Sequence, residues 1–521
     1  MKRLIIITIL LVAATVVVTV KYFDNLNLAG PRTAQVINTI PSSAALVFEF
    51  NNDASFYDIY NNSQLFTSII GQQKMNELHS IRSLILENVS TQAVFNAQDI
   101  FFSIHPQAND TLEYLVTIPA TGALQPEALA RLKLQSIKIA GKTGYIIRTD
   151  SLQKNFYIAP KDGNIWAGSF SKPLLEESLN YKTSDKDNFA LLSDQQHSNT
   201  LGNLYINYQQ SGKLLNQFYK KGQADIFKGL QMLPATTALS LNYKSDALIF
   251  NGFTTFKQTA AMSYLDLFRQ MAPVELSLQE IFPITTAYSS SYGFNDVARF
   301  KTLLAKWEQK TGLEKDRSAL FKKIKSETGV QFDTEFNKLL DNEFAIITTR
   351  FEEKLAIIKL KNGAGLKPFC YNISNMITDD CGQFNYNQIP LFLLGDVMSL
   401  FRKPYFIILD NYLVLANSQR EINNYKQNYF NNQYLSKGTE FIEFNNLVAE
   451  RCNINYFIHF KNAGNAFKRL LKPYYNEVYQ QEPGFKNYYA AAYQLSGSEN
   501  QFYTNLCIKL LKPDSTTTNG N

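Results

Sequence analysis

Apolar and polar positions alternate along this chain in short strand-like runs broken by helical faces, and one series of such elements occurs twice. The first series opens on Ile40-Pro41, where a proline starts an apolar run that continues through Leu46, Val47 and Phe48. Asn52-Asp53 then supply a helix cap, and Phe56, Ile59, Tyr60, Phe66, Ile69 and Ile70 recur at near-helical spacing. A second helix is expected over 74–87, with Leu78, Ile81 and Ile85 on one face. Strands are expected at 99–105 and 113–119, a short helix at Pro126, and further strands at 136–139, 144–148, 155–158 and 165–168. The last two are joined across Asp162-Gly163, a hairpin dipeptide. Ser169 or Ser171 caps a helix with Pro173 in its first turn. A strand at 202–208, a helix at 213–219 and strands at 234–243 and 247–256 complete the series.

The second series opens on Phe282-Pro283 and keeps the order. Asn295-Asp296 cap a helix bearing Phe300, Leu303, Leu304 and Trp307 at i, i+3, i+4 and i+7, and Gly312 ends it. A helix at 318–327 and strands at 343–349 and 354–361 follow, then a hairpin of 404–409 and 412–416 across Asp410-Asn411. Ser418 and Glu421 make a capping box, and a strand at 455–460, a helix at 463–471 and a closing hairpin of 488–495 and 501–510 end the series. The segment 362–388 has no counterpart and reads as an irregular excursion. Because most connections are hairpin-like, the expected fold class is α+β: two homologous repeats, at 40–258 and 278–512, each a mainly antiparallel sheet with packed helices. Residues 513–521 are a polar tail expected to be disordered.

Lys2-Arg3 precede an apolar run at 4–20, about 25 Å of helix at 1.5 Å per residue, and Lys21-Tyr22-Phe23 follow as a cation and aromatics at an interface would. The small residues Ala13-Ala14 lie inside the run, which argues against a cleaved signal peptide. Leu28-Ala29-Gly30 is followed by Pro31, not by the cysteine a lipoprotein needs. The expectation is an uncleaved signal anchor at 1–23, spanning the inner membrane once. The basic N-terminus is then cytoplasmic, 24–39 form a polar tether, and the bulk is periplasmic.

Composition adds limits. The 521 residues are 45% hydrophobic and 18% charged, enough apolar matter for more than one core. A net charge of +6 with no dense Lys/Arg cluster beyond the N-terminus gives no footprint for nucleic acid. The 38 Phe and 29 Tyr suit pleated, half-buried sheets; an aromatic ligand groove is the sharper alternative.

The motifs carry little chemistry. Gly141-Lys142-Thr143 resembles the end of a phosphate-binding loop, but Ser136 stands where its first glycine belongs. Lys142-Thr143-Gly144, Ser151-x-x-Lys154 and Ser169-x-x-Lys172 are motifs of penicillin-recognising enzymes in the wrong order. The histidines His79, His105, His197 and His459 form no zinc-binding pair, and no G-x-S-x-G occurs. Glu49, Asp99 and Glu343 are carboxylates that read as solvated or capping groups. Cys370, Cys381, Cys452 and Cys507 form no C-x-x-C; in an exported domain they could close two disulfides, Cys370–Cys381 and Cys452–Cys507, or stay as free buried thiols. Asp110-Thr111-Leu112, Asp150-Ser151-Leu152 and Asp514-Ser515-Thr516 resemble an O-glycosylation sequon of exported Bacteroidetes proteins.

The opening Ile40-Pro41-Ser-Ser-Ala-Ala-Leu-Val and the hairpin-plus-cap Tyr405-Phe-Ile-Ile-Leu-Asp-Asn-Tyr-Leu-Val-Leu-Ala-Asn-Ser418 resemble a family of uncharacterised, N-terminally anchored envelope proteins of Bacteroidetes and other bacteria. The resemblance implies an envelope location and transfers no site residue and no cofactor. The expected function is non-catalytic: binding or scaffolding an envelope protein or lipid. The alternatives are a carrier or sensor of an apolar ligand, and a hydrolase with a dispersed site.

Overall fold

A computed structural model describes residues 29–62, 76, 79–89, 91–107, 111–122, 131–132, 134–148, 154–182, 189, 200–220, 228–231, 233–257, 262–481 and 485–511. The chain divides into two compact units: Met1–Asn62 with Gln72–Asn207 and Thr236–Asn242, and Ser63–Gly71 with Tyr208–Ala235 and Tyr243–Asn521. Each is α+β and built on an antiparallel sheet.

In the first unit the strands are β1 (Leu46–Asn51), β2 (Asp99–Pro106), β3 (Leu112–Pro119), β4 (Gln135–Ile139), β5 (Lys142–Ile147), β6 (Phe156–Lys161), β7 (Ile165–Ser169), β8 (Asn203–Asn207) and β9 (Ala235–Lys244). They lie in the order β4-β5-β6-β7-β3-β2-β1-β8-β9. The period-2 alternation of strands sends neighbouring residues to opposite faces. Phe101, Val47, Ile165, Tyr205 and Ala238 pack under Val36, Ile37 and Ile40. Further along, Leu115, Ala159 and Ala167 pack under Leu174, Leu175 and Leu179 of the helix Lys172–Asn180, which Ser171 caps through the Leu174 N–H. Ile100, Ile118, Phe156, Ile158 and Trp166 form a separate cluster with Ile81 and Phe95.

The segment read as a polar tether is, from Ala29, the helix Ala29–Ile37. Val36 and Ile37 are buried in the core, and the Thr33 hydroxyl donates to Glu49 at 2.9 Å. Its polar appearance came from residues on the other side of an amphipathic helix. The anchor expected at 1–23 and the tail at 513–521 lie outside the described residues. Among the described residues no helix is long and apolar enough to cross a membrane.

The second unit contains β10 (Ala247–Phe256), β11 (Val274–Glu275), β12 (Thr286–Gly293), β13 (Leu340–Thr349), β14 (Lys354–Leu360), β15 (Ser374–Met376), β16 (Cys381–Phe384), β17 (Tyr405–Leu409), β18 (Tyr412–Ala416), β19 (Arg451–Cys452), β20 (Ile454–His459), β21 (Tyr488–Ser498) and β22 (Gln501–Leu510). Its large sheet runs β15-β16-β17-β18-β14-β13-β12-β20-β21-β22-β10, and β11 pairs with β19 apart from it. Strand β10 lies beside β22 from Ala247↔Lys509 to Thr255↔Gln501, a pairing the patterning does not address. One feature differs from the sequence expectation. The excursion at 362–388 is regular: the helix Gly363–Asn372, capped by Asn362, leads into the short pair β15–β16. Strands of three and four residues are too short for periodicity to register.

Elsewhere the local signals act as their chemistry requires. Asp296 accepts the Arg299 N–H to start the helix Val297–Thr311, and Gly312 ends it at φ 80°, a left-handed conformation that glycine adopts without strain. Ser418 and Glu421 form a reciprocal capping box on the helix Gln419–Phe430.

Candidate functional site

The cavity in the first unit combines concavity with an apolar wall. It holds about 60 Å³ of open space between the sheet and the short helices that cover it. Ile100, Val116, Ile118, Phe156, Ile158 and Trp166 come from β2, β3, β6 and β7. Across from them stand Ile81, Leu86 and Phe95. Leu86 ends the π-helical turn Arg82–Leu86, a rare conformation often met beside functional sites. Among the described wall residues only Thr91 and Trp166 carry a polar side-chain atom, and the Thr91 hydroxyl is turned to the Asn88 carbonyl at 3.3 Å. Phe156 lies over Gly168, where a Cβ would come within 2.7 Å of its ring. Among the described residues no charged group lines the space. Sequence patterning places Ile81, Leu86, Ile100, Val116, Ile118, Phe156, Ile158 and Trp166 on expected elements and gives none at Thr91, Phe95 or Leu132; a cavity is a shortfall of packing and leaves no periodic signal.

A serine and a histidine do meet. His105, fully buried on β2, has Nδ1 2.9 Å from Ser43 Oγ and Nε2 2.9 Å from Ser103 Oγ. Ser43 also lies 3.0 Å from a Glu177 carboxylate oxygen, and Ser103 lies 3.2 Å from the Leu115 carbonyl. Two proton arrangements satisfy the chain. Either Ser43 donates to Glu177, Nδ1–H donates to Ser43 and Ser103 donates to Nε2; or Ser43 donates to Nδ1, Nε2–H donates to Ser103 and Ser103 donates to Leu115. This inverts a catalytic triad, in which the carboxylate orients the histidine and the serine takes the other nitrogen. Burial pushes the His105 imidazole down to about 3, so it is neutral and a weak base. His459 has another structural task. Its Nδ1 accepts the Asn462 N–H at 3.2 Å and caps the helix Phe460–Leu470. His79 is exposed, and His197 lies outside the described residues.

The three carboxylates singled out in the sequence have different hydrogen-bond partners. Glu49 is buried and accepts from Thr33, from Asn203 at 3.0 Å and from Tyr205 at 2.6 Å, joining the first helix to β1 and β8. Asp99 accepts from Asn51 at 3.0 Å. Glu343 accepts the N–H groups of Ser277 and Leu278, capping the one-turn helix Ser277–Ile281, and burial pushes its carboxyl up to about 7. A charged cluster around the buried Glu308, its other members half-buried, lies in the second unit and was missed by patterning. Glu308 faces Arg317 at 3.6 Å, Arg317 faces Asp333 at 3.5 Å, and Lys301 donates to the Leu393 carbonyl. Among the described residues no group of three or more His, Cys, Asp or Glu side chains is placed to hold a metal.

Cys370, Cys381, Cys452 and Cys507 are all buried and free. Cys452 packs with Val274 and Leu276, whereas Cys507 packs with Phe457 and Tyr489 in a separate cluster. Ser169 and Lys142-Thr143-Gly144 are structural: the Ser169 hydroxyl donates to the Tyr114 carbonyl at 2.6 Å, and the triplet begins β5. Asp110, Asp150, Ser151 and the Asp514 triplet lie outside the described residues.

The second unit also presents large apolar side chains to solvent. Ile284 is 52% exposed, and Phe351 and Phe430 are each 63% exposed. Backbone bonds bring their segments together: Ile284 N–H donates to the Gln433 carbonyl at 2.9 Å, and Arg350 N–H donates to the Thr285 carbonyl at 2.7 Å. The Arg350 guanidinium lies 4.9 Å from the Phe351 ring centre.

Comparison with known proteins adds little. No family model and no curated protein matches the chain. A solved structure titled "Structure of crystal form III of TP0453" aligns over 46% of this chain and 89% of its own, at 14% identity and a TM-score of 0.23, a likeness too slight to carry an argument about fold or function.

Proposed function

We propose that this chain is a non-catalytic, membrane-anchored periplasmic protein, made of two copies of one α+β unit, that binds another component of the cell envelope. The observation that carries the reading is the exposed trio Ile284, Phe351 and Phe430, on segments of the second unit tied together by backbone bonds. Exposed large apolar side chains on segments joined in this way suit an interaction surface on an otherwise polar protein. The flanking Arg350 suits a rim that keeps such a surface soluble when it is bare. The inverted Ser43–His105–Glu177 geometry speaks against a serine hydrolase.

The order of strands supports the duplication. From β4 to β9 the first sheet runs 4-5-6-7-3-2-1-8-9, and from β15 to β21 the second runs 15-16-17-18-14-13-12-20-21. The helix after β7 and the helix after β18 both start on a serine cap, Ser171 and Ser418. Asp53 and Asp296 both accept an N–H three residues on, at the start of the helix that follows the first strand. The apolar run at 4–20 and its flanking cations support the anchor.

The test is site-specific photocrosslinking in native envelopes from Ile284, Phe351 and Phe430, followed by mass spectrometry. A common protein or lipid adduct from all three positions is the expected result, lost on Ile284→Ser, Phe351→Ser and Phe430→Ser together. Absence of any adduct, or the same adduct from an exposed position in the first unit, sinks the reading.

A further inference from the structure

We propose that the cavity of the first unit is a binding site for the terminal methylenes of an acyl chain. The inference is independent of the exposed trio, which belongs to the second unit. Three observations carry it. The wall is made of Ile81, Leu86, Phe95, Ile100, Ile118, Phe156 and their neighbours, and its one hydroxyl among the described residues, that of Thr91, donates to the Asn88 carbonyl. A space so lined stays dry and favours hydrocarbon over water. Its volume, about 60 Å³, is well below the ~150 Å³ that admits a benzene ring. On the same measure one water-sized group needs about 10–15 Å³, so the space accommodates a few methylene-sized groups. An unbranched chain end fits, whereas a ring does not. With no charge on the wall among the described residues, the head group of the ligand stays outside.

Two wall positions differ in the second unit. Ile100 pairs with Phe50 on β1, and Phe344 pairs with Tyr292 on β12 in the matching place of the proposed duplication. Ile158 pairs with Gly168, and Phe406 pairs with Leu415. At these two positions the second unit carries phenylalanine for isoleucine, whereas Leu413 stands where the first unit has Trp166. Phe300 packs on Phe344, and Phe384 stacks on Phe406 at 4.7 Å between ring centres.

Trp166 lines the cavity and supplies the probe. It is one of two tryptophans, so in the full chain carrying Trp307→Phe it is the single indole and is excited selectively at the red edge, beyond tyrosine absorption. This variant is titrated with palmitic acid brominated at its terminal carbon, with palmitic acid brominated beside the carboxyl, and with phosphatidylcholine vesicles carrying the terminal bromine. Saturable quenching by terminal bromine, with little from bromine beside the carboxyl, is expected. Quenching by the free acid assigns the ligand as a fatty acid, and quenching by the vesicles alone assigns it as a phospholipid chain. Leu132→Phe fills part of the space and weakens half-saturation by about tenfold or more. If that variant loses its cooperative melt, Val116→Leu provides the same readout with one added methylene. No saturable quenching, equal quenching from both bromine positions, or quenching indifferent to a folded cavity-filling variant overturns the proposal. None of these outcomes bears on the crosslinks from Ile284, Phe351 and Phe430.

Discussion

Glu343 takes the backbone N–H of Ser277 at 2.8 Å, so a fully buried carboxyl on β13 caps the one-turn helix that precedes the strand β12. Burial raises this carboxyl to about 7 from an ordinary 4.5, with the Leu278 and Ser277 N–H groups and Lys359 opposing the rise. The folded protein therefore holds a proton across a pH range in which the unfolded chain has lost it. Glu343 contributes stability below about 4.5 that is lost as pH rises through about 7. Relative to Glu343→Gln, the parent should lose up to about 1.4 kcal/mol per pH unit between those values. Urea unfolding of both proteins from pH 4.5 to 7.5 measures the difference; parallel curves would show that Glu343 is ionised in the fold. Glu308, also raised to about 7 by burial, should behave with the same sign in Glu308→Gln.

His105 has the opposite sign. Its imidazole is lowered from 6.5 to about 3, so only the unfolded chain gains a proton between those values. Its contribution is complete above about 6.5 and is lost as pH falls toward 3. Nuclear magnetic resonance should show no titration of the His105 ring between pH 5 and pH 8. A midpoint near 6.5 would mean that the ring reaches solvent and that the Ser43–His105–Ser103 chain is open.

The capping box of Ser418 and Glu421 should be worth about 1 kcal/mol. Ser418→Ala removes the acceptor for the Glu421 N–H, whereas Ser418→Asp keeps one. Chemical denaturation should rank parent and Ser418→Asp together and Ser418→Ala below them. Equal stability of all three would show that tertiary packing alone fixes the start of this helix.

Burial sets the behaviour of the four cysteines. It raises every thiol, with Cys452 and Cys507 pushed up to about 12, which suppresses the thiolate that reacts. The native protein should resist alkylation, and denaturation without reductant should yield four adducts by intact mass. Two adducts would reveal one disulfide, and none would reveal two.

Much of the framework was legible before any coordinates. Ser171, Asp296, Gly312 and Ser418 act through bonds to backbone a few residues away, so their roles follow from local chemistry. Asp162-Gly163 and Asp410-Asn411 mark hairpins for the same reason, and Asp410 carries the positive φ of 49° that its turn demands. The helix Ala29–Ile37 was missed because its apolar face is only a few residues wide. The pair β15–β16 was missed because strands that short carry no period.

By itself, then, the sequence determined the antiparallel α+β class, the order of most elements and their caps, because those depend on periodicity and on hydrogen bonds between near neighbours. Tertiary structure alone decided that β10 lies beside β22, that His105 stands between Ser43 and Ser103, that Ile284 comes to Gln433, and that a cavity remains under Trp166. Each of these depends on residues far apart in the chain filling, or failing to fill, the same volume, and close packing is a property of the assembled fold.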